Sequence, residues 1–180
     1  MLNNPTLIDL DKGRLIALLS IILCLAFTYP AFTHSTADTT TTEYREAPDF
    51  SLEQADGNVF RLSEYTGEVI VINIWATWCG PCREEIPEFM ELQKEMEGDV
   101  QFVGVSVDEE GWEVVRPFEE KFDINYPIVV DDGSVFEGYG PFRLIPISFI
   151  VNRKGNLEYV APGRIPKYKL KPILQELINR

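Results

Sequence analysis

The run Val69-Ile70-Val71-Ile72-Asn73-Ile74 leads into Cys79-Gly80-Pro81-Cys82, and this junction limits the possible folds more than any other stretch. An apolar, β-branched segment of that length is the pattern of a strand buried on both faces. After the cysteines, Ile86, Phe89, Met90 and Met96 recur at roughly helical spacing as far as Gly98, a stop just past the helix end. The pair therefore sits at a strand-to-helix turn, with Pro81 near the first helical position, where its missing N–H is harmless. A cysteine at that place faces unpaired N–H groups and the positive end of the helix dipole, and both favour thiolate over thiol. Cys79 lies on the exposed approach to the helix. Cys82 falls one turn further in on the same side, close enough for a disulfide to close the turn.

Three other uses of the pair compete with redox exchange. A zinc half-site needs two further ligands, and the remaining soft candidates are Cys24, inside an apolar run, and His34, in a polar spacer. A purely structural disulfide over so short a loop gains little from loop closure. A peroxidatic cysteine follows a Pro-x-x-x-Thr pattern, and the corresponding places hold Ile72 and Ala76. Redox exchange fits the strand-turn-helix setting best.

The words Trp78-Cys79-Gly80-Pro81-Cys82 and Arg83-Glu84-Glu85-Ile86-Pro87 resemble the active site of thioredoxin and, through Cys-x-x-Cys-x-x-Glu-x-Pro, the TlpA/ResA-like membrane-associated reductases that include cytochrome c maturation proteins. The likeness spans about Ala47 to Arg180. It implies an α/β, thioredoxin-like fold: a central mixed β-sheet flanked by helices, with an N-terminal β-hairpin extension. It also implies that Cys79 attacks a partner disulfide and that Cys82 resolves the mixed disulfide. Pro146 matches the cis-proline of such proteins, and Ile145 before it would pair its backbone with a bound substrate chain. Trp78, Gly80 and Pro81 complete the expected substrate contact. Thioredoxin carries a buried aspartate in the strand before the site, where this chain has Asn73, so any proton handling falls to Glu85, three positions after Cys82. No cofactor beyond a redox-active Cys79–Cys82 disulfide and no metal are expected. The implied partners are a membrane electron donor and protein disulfide substrates, with the chain working as a monomer. The same site run as an oxidase or isomerase, or an inert disulfide on a tethered binding module, are the alternatives.

A formal charge of −13 opposes binding to nucleic acid or to anionic lipid. Lys12 and Arg14 precede the apolar run Leu15 to Phe27, so residues 1–33 read as a signal peptide or an N-terminal membrane anchor. Cleavage after Ala31 or Ala37 and retention as an anchor both fit, and either places the domain on the extracytoplasmic, periplasmic side of a cell envelope, where disulfides persist. Residues 34–46, with four successive threonines, read as a flexible tether, and 47–180 as the domain.

Within the domain, Phe50 and Leu52 alternate with polar residues before Asp56-Gly57, and Val59 to Leu62 returns, which makes a hairpin capping a sheet edge. Parallel strands are expected at Val100–Val107 and Pro127–Val130, with a helix from about Trp112 to Phe122. Asp108, Glu109 and Glu110 read as carboxylates favoured by that helix's dipole. A short helix capped by Asp131 and Asp132 runs to Tyr139, and Ile147–Val151 with Leu157–Val160 forms an antiparallel hairpin. The last helix is expected over Leu170–Ile178, with Pro172 in its first turn and Lys167, Lys169 and Lys171 on its solvated end.

Overall fold

The computed structural model describes residues 45–180. The apolar N-terminal segment and nearly all of the polar spacer lie outside them. In chain order the elements are β1 (Ser51–Glu53), β2 (Val59–Arg61), a 3-10 turn (Leu62–Tyr65), β3 (Val69–Trp75), α1 (Gly80–Glu95), β4 (Val100–Ser106), α2 (Trp112–Phe122), β5 (Ile128–Val130), α3 (Ser134–Tyr139), β6 (Ile147–Val151), β7 (Leu157–Pro162) and α4 (Lys167–Ile178). The main sheet has five strands in the order β5-β4-β3-β6-β7. Strands β3, β4 and β5 run parallel, while β6 opposes β3 and β7 opposes β6.

All seven residues of β3 are buried, and their alternation builds two cores. Val69, Val71 and Trp75 face α1 and α4, meeting Ile86, Phe89, Leu92, Leu170 and Leu174. Ile70, Ile72 and Ile74 face the other way, toward the β1–β2 hairpin and α3, meeting Phe50, Phe60, Val135 and Tyr139. Period-two side chains on a strand covered on both sides require this division. The hairpin reaches the sheet edge through Gln54, which bridges to Val129 of β5.

Among the described residues, backbone pairing begins at Arg45. Leu157 N–H donates to Arg45 O at 2.8 Å and Ala47 N–H donates to Gly155 O at 2.9 Å. The chain thus enters the domain beside the β6–β7 turn, at the opposite end of β6 from Pro146.

Three local expectations change. Helix α4 begins at Lys167 rather than Leu170, because Glu88 of α1 accepts the Lys167 backbone N–H and supplies the missing cap from another element. Pro172 therefore lies past the first turn. Lys167 and Lys171 are also not simply solvated: Lys167 Nζ meets Glu91 at 2.7 Å and Glu95 at 2.6 Å, and Lys171 Nζ meets Glu95 at 2.7 Å, lacing α4 to α1. Asp108 stands before the Gly111 cap of α2 and points elsewhere, as described below.

Gly104 of β4 lies opposite Asn73, and its missing side chain leaves room for Trp75. A Cβ there would stand 2.5 Å from Ile128 Cδ1 and 3.0 Å from Trp75 Nε1, both fully buried. Gly104→Ala should therefore destabilise the domain by about 1–3 kcal/mol through overpacking, read as a lower midpoint in urea unfolding. An unchanged midpoint would mean that Ile128 can turn aside at no cost.

Candidate active site

Strand β3 ends at Trp75, the chain turns through Ala76–Cys79, and α1 starts at Gly80. Cys79 N–H donates to Ala76 O at 3.1 Å and closes the turn. Cys79 is the N-cap of α1, and its Sγ accepts the Cys82 backbone N–H at 3.2 Å. The two cysteines are joined, with S–S 2.03 Å and Cα–Cα 5.3 Å. Cys79 is 5% exposed and Cys82 0%, so in the disulfide form both are buried and the exposed Cys79 expected from the sequence is not seen. Its sulfur is bonded inward to Cys82 and belongs to the apolar core under α1. Gly80 and Pro81 stand exposed at the start of α1, and Trp78 is 68% exposed beside them, whereas Trp75 is buried against Phe118.

Glu85 is fully buried one helical turn beyond Cys82. Its carboxylate accepts from Asn73 Nδ2 at 2.9 Å and from Ile165 N–H at 3.3 Å, and Asn73 also reaches Ser148 Oγ on β6 at 3.1 Å. Asn73 occupies the odd face of β3, which is why the one polar residue of the strand meets α1. Loss of water around the carboxylate pushes its pKa up to about 7. The two hydrogen bonds and the Arg164 guanidinium oppose that rise, and Glu88 adds to it. Tyr126 faces the same carboxyl, and burial with the Glu85 charge holds its phenol neutral.

Two more elements converge here. The Ile145–Pro146 peptide bond is cis. Because Ile74 pairs with Ile147, Pro146 falls at the level where β3 delivers the cysteine turn. Pro146 O accepts Gly163 N–H at 2.8 Å, so the loop that contacts Glu85 through Ile165 also holds the prolyl loop. Ile145 and Trp78 line one open groove. Every residue proposed from the sequence is therefore at the end of β3 or on the two segments that flank it.

Asp108, read from the sequence as a helix-dipole carboxylate, is instead buried against the cysteine turn. It accepts Thr77 N–H at 2.9 Å, Thr77 Oγ1 at 2.7 Å and Ser106 Oγ at 2.7 Å. It thereby fixes the residue two before Cys79. The available signal was a Ser-x-Asp at the end of a parallel strand neighbouring β3; the level at which that strand pairs was not readable. Among the described residues no group of three or more His, Cys, Asp or Glu side chains could hold a metal ion.

This arrangement makes the protein a thiol–disulfide oxidoreductase of thioredoxin-like fold. The chain belongs to the AhpC/TSA family, whose model matches residues 44–160. It is 33% identical to the thiol-disulfide oxidoreductase ResA of Geobacillus thermodenitrificans over 171 residues, covering 91% of this chain and 94% of that one. Among solved structures it is similar to a thiol:disulfide interchange protein of the thioredoxin family from Chlorobium tepidum, with TM-score 0.69, 30% identity, and coverage of 75% of this chain and 97% of that one. It is also similar to the pneumococcal exposed lipoprotein thioredoxin Etrx1 of Streptococcus pneumoniae, with TM-score 0.65, 30% identity, and coverage of 72% and 99%.

The raised Glu85 pKa makes a signed prediction for stability. The folded-state value of about 7 lies above the ordinary 4.5, so the native protein holds the proton more tightly than the unfolded chain. Stability is then greatest below the ordinary value and falls as pH rises through the interval between the two. The full change is roughly 3 kcal/mol. Glu85→Gln has no such dependence, although its single oxygen leaves either Asn73 or Ile165 without an acceptor at every pH. The stability difference between wild type and Glu85→Gln, measured by urea unfolding of the oxidised proteins, should shift against wild type across that interval. A pH-independent difference would show that Glu85 does not titrate there.

Proposed function

We propose that the protein is an extracytoplasmic reductant of disulfides in other proteins. In the reduced state the Cys79 thiolate attacks one sulfur of a substrate disulfide. That S–S bond breaks, a Cys79–substrate disulfide forms, and the departing substrate sulfur takes a proton. The Cys82 thiol then passes its proton to the Glu85 carboxylate and attacks Cys79 Sγ. The Cys79–Cys82 disulfide forms, the second substrate sulfur leaves as a thiolate and is protonated from solvent, Glu85 releases its proton to solvent, and two electrons have moved to the substrate. A membrane-bound dithiol donor must then restore the pair. One chain carries the whole site, and we read it as a monomer that needs no cofactor beyond its own disulfide.

The buried Glu85 carboxyl carries the direction of this reading. Oxidising members of this fold hold their reduced form down by stabilising a thiolate. A carboxylate one turn from Cys82 does the opposite: its charge and the pocket's dryness disfavour thiolate, so the dithiol gives up electrons more readily. The Cys82 N–H at Cys79 Sγ leaves Cys79 the better-supported of the two thiolates. Trp78, Gly80, Pro81, Ile145 and Pro146 would hold the substrate strand over Cys79. Disulfides between haem-binding cysteine pairs of apocytochrome c are the substrate class implied by the resemblance to cytochrome c maturation proteins.

Redox titration in thiol–disulfide buffers tests the direction. A midpoint below about −200 mV is expected, nearer to thioredoxin at about −270 mV than to DsbA at about −120 mV, and Glu85→Gln should raise it. A midpoint close to that of DsbA, unmoved by Glu85→Gln, would transfer the site to the oxidase reading. Failure to find any midpoint would leave an inert disulfide. In the host, Cys82→Ser should accumulate mixed disulfides with substrates and Cys79→Ser should trap none.

Location rests on residues 1–33 as a signal peptide or anchor and 34–46 as a tether, with Lys12 and Arg14 before the apolar run. Among the described residues no helix is long and apolar enough to cross a membrane. Fractionation and intact-mass measurement should find the protein in the membrane or outside it. A cytoplasmic, soluble chain still starting at Met1 would overturn this placement.

A further inference from the structure

The groove between the cysteine turn and the prolyl loop has a lining that disulfide exchange alone does not require. It encloses about 450 Å³ and is walled by Trp78, Val107, Phe136, Phe142, Leu144 and Ile145. Of the six large apolar side chains exposed among the described residues, Trp78, Phe136 and Leu144 all stand at this groove. Scattered exposed apolar residues are ordinary, but half of them gathered around one groove that Trp78 joins to the cysteine turn make a contact surface. The walls are set in advance. Phe136 of α3 meets Phe142 edge to face at 5.2 Å, and Phe142 meets Phe149 of β6 at 6.3 Å, which ties the groove to the sheet. Arg143 also lines it, and among the described residues Arg143 pairs with no carboxylate. In a chain of net charge −13, a cation left unpaired at an apolar groove calls for an anion on the occupant.

Strand geometry says which part of a substrate would reach the groove. This step rests on the reading above, in which a substrate strand pairs with Ile145 while its cysteine meets Cys79. Side chains of an extended strand alternate, so the residue two positions from that cysteine points the same way, roughly 7 Å along. With the cysteine at the level of Pro146, that offset carries the next same-face side chain onto Leu144 and Phe142. We propose that this groove selects substrates: the protein prefers disulfides in extended segments that carry a large apolar side chain two residues from the attacked cysteine and a carboxylate beside it for Arg143. The apolar side chain contributes binding by leaving water, and the carboxylate contributes register.

The test uses the full chain, reduced and freed of reductant, and short peptides whose single cysteine carries a chromogenic thionitrobenzoate. Attack by Cys79 breaks the peptide S–S bond and releases thionitrobenzoate, and closure of Cys79–Cys82 then frees the peptide thiol, so two electrons leave the protein for each disulfide reduced. Peptides place Phe or Ser two residues before or after the cysteine, with Glu or Lys beside that position. Phe should exceed Ser by about tenfold in the second-order rate constant of thionitrobenzoate release at one of the two offsets, and Glu should exceed Lys. Phe136→Ala should collapse the Phe-to-Ser ratio, and Arg143→Glu should invert the Glu-to-Lys ratio. Both ratios are read within one variant and are independent of how much of it is active. Rates equal within twofold for all peptides, or ratios that survive Phe136→Ala and Arg143→Glu, would overturn the selectivity while leaving the oxidoreductase reading intact. Inability to reduce any peptide or oxidised glutathione would instead sink the reading beneath it.

Discussion

Burial of β3 on both faces is the constraint on which the rest of the structure depends. Each of its side chains has to be given to one of two cores, and six of the seven are apolar and can be. The seventh, Asn73, is buried at 2% exposure, and an amide with no partners in that place would cost on the order of a few kcal/mol. It must therefore find acceptors on the α1 face and across to β6, and it does so in Glu85 and Ser148. The strand that makes the fold thus also draws a carboxyl under the helix bearing Cys79 and Cys82. A fully apolar β3 would leave Glu85 without its shorter hydrogen bond.

That coupling explains why a buried acid is tolerated. Glu85 has two donors, one of them at 3.3 Å, and its surroundings are otherwise the apolar interior of α1 and α4. Two bonds do not replace the hydration of a full charge, so the acid and its carboxylate come into balance near neutrality. Arg164 lies close enough to pull the other way, but it is committed to Glu88 and Glu84 on the surface of α1. The domain carries this conflict beside the cysteine pair instead of relieving it.

Much of this was legible in the sequence, for reasons particular to each residue. The β-branched run from Val69 announces a doubly covered strand, and Cys-Gly-Pro-Cys after it announces the turn and helix start. Pro146 and Glu85 were legible only through resemblance, because neither a lone Ile-Pro nor a lone glutamate in a helix says where it points. Asp108 is not legible, since its role depends on β4 ending level with Trp75, which brings Asp108 beside Thr77, a register that no local pattern states. The start of α4 was misplaced for the same kind of reason: its cap is Glu88, 79 residues earlier in the chain. Phe136, Phe142 and Arg143 carry no signal in the sequence. Each is an ordinary loop or short-helix residue until β5 and α3 bring it beside Trp78.

The two buried carboxylates at this end of the sheet show how one architecture sets different duties. Asp108 gathers donors from Thr77 and Ser106, all contributed by the ends of β3 and β4, and so ties the backbone of the cysteine turn to the neighbouring strand. Glu85 is bound instead to a strand amide and to the Gly163–Pro166 loop, which also holds Pro146. One acid therefore positions Cys79 from the sheet side, while the other connects the helix of Cys82 to the loop before α4. The hydrogen-bond partners of Glu85, Asn73 and Ile165, are distinct from Thr77 and Ser106, which Asp108 holds.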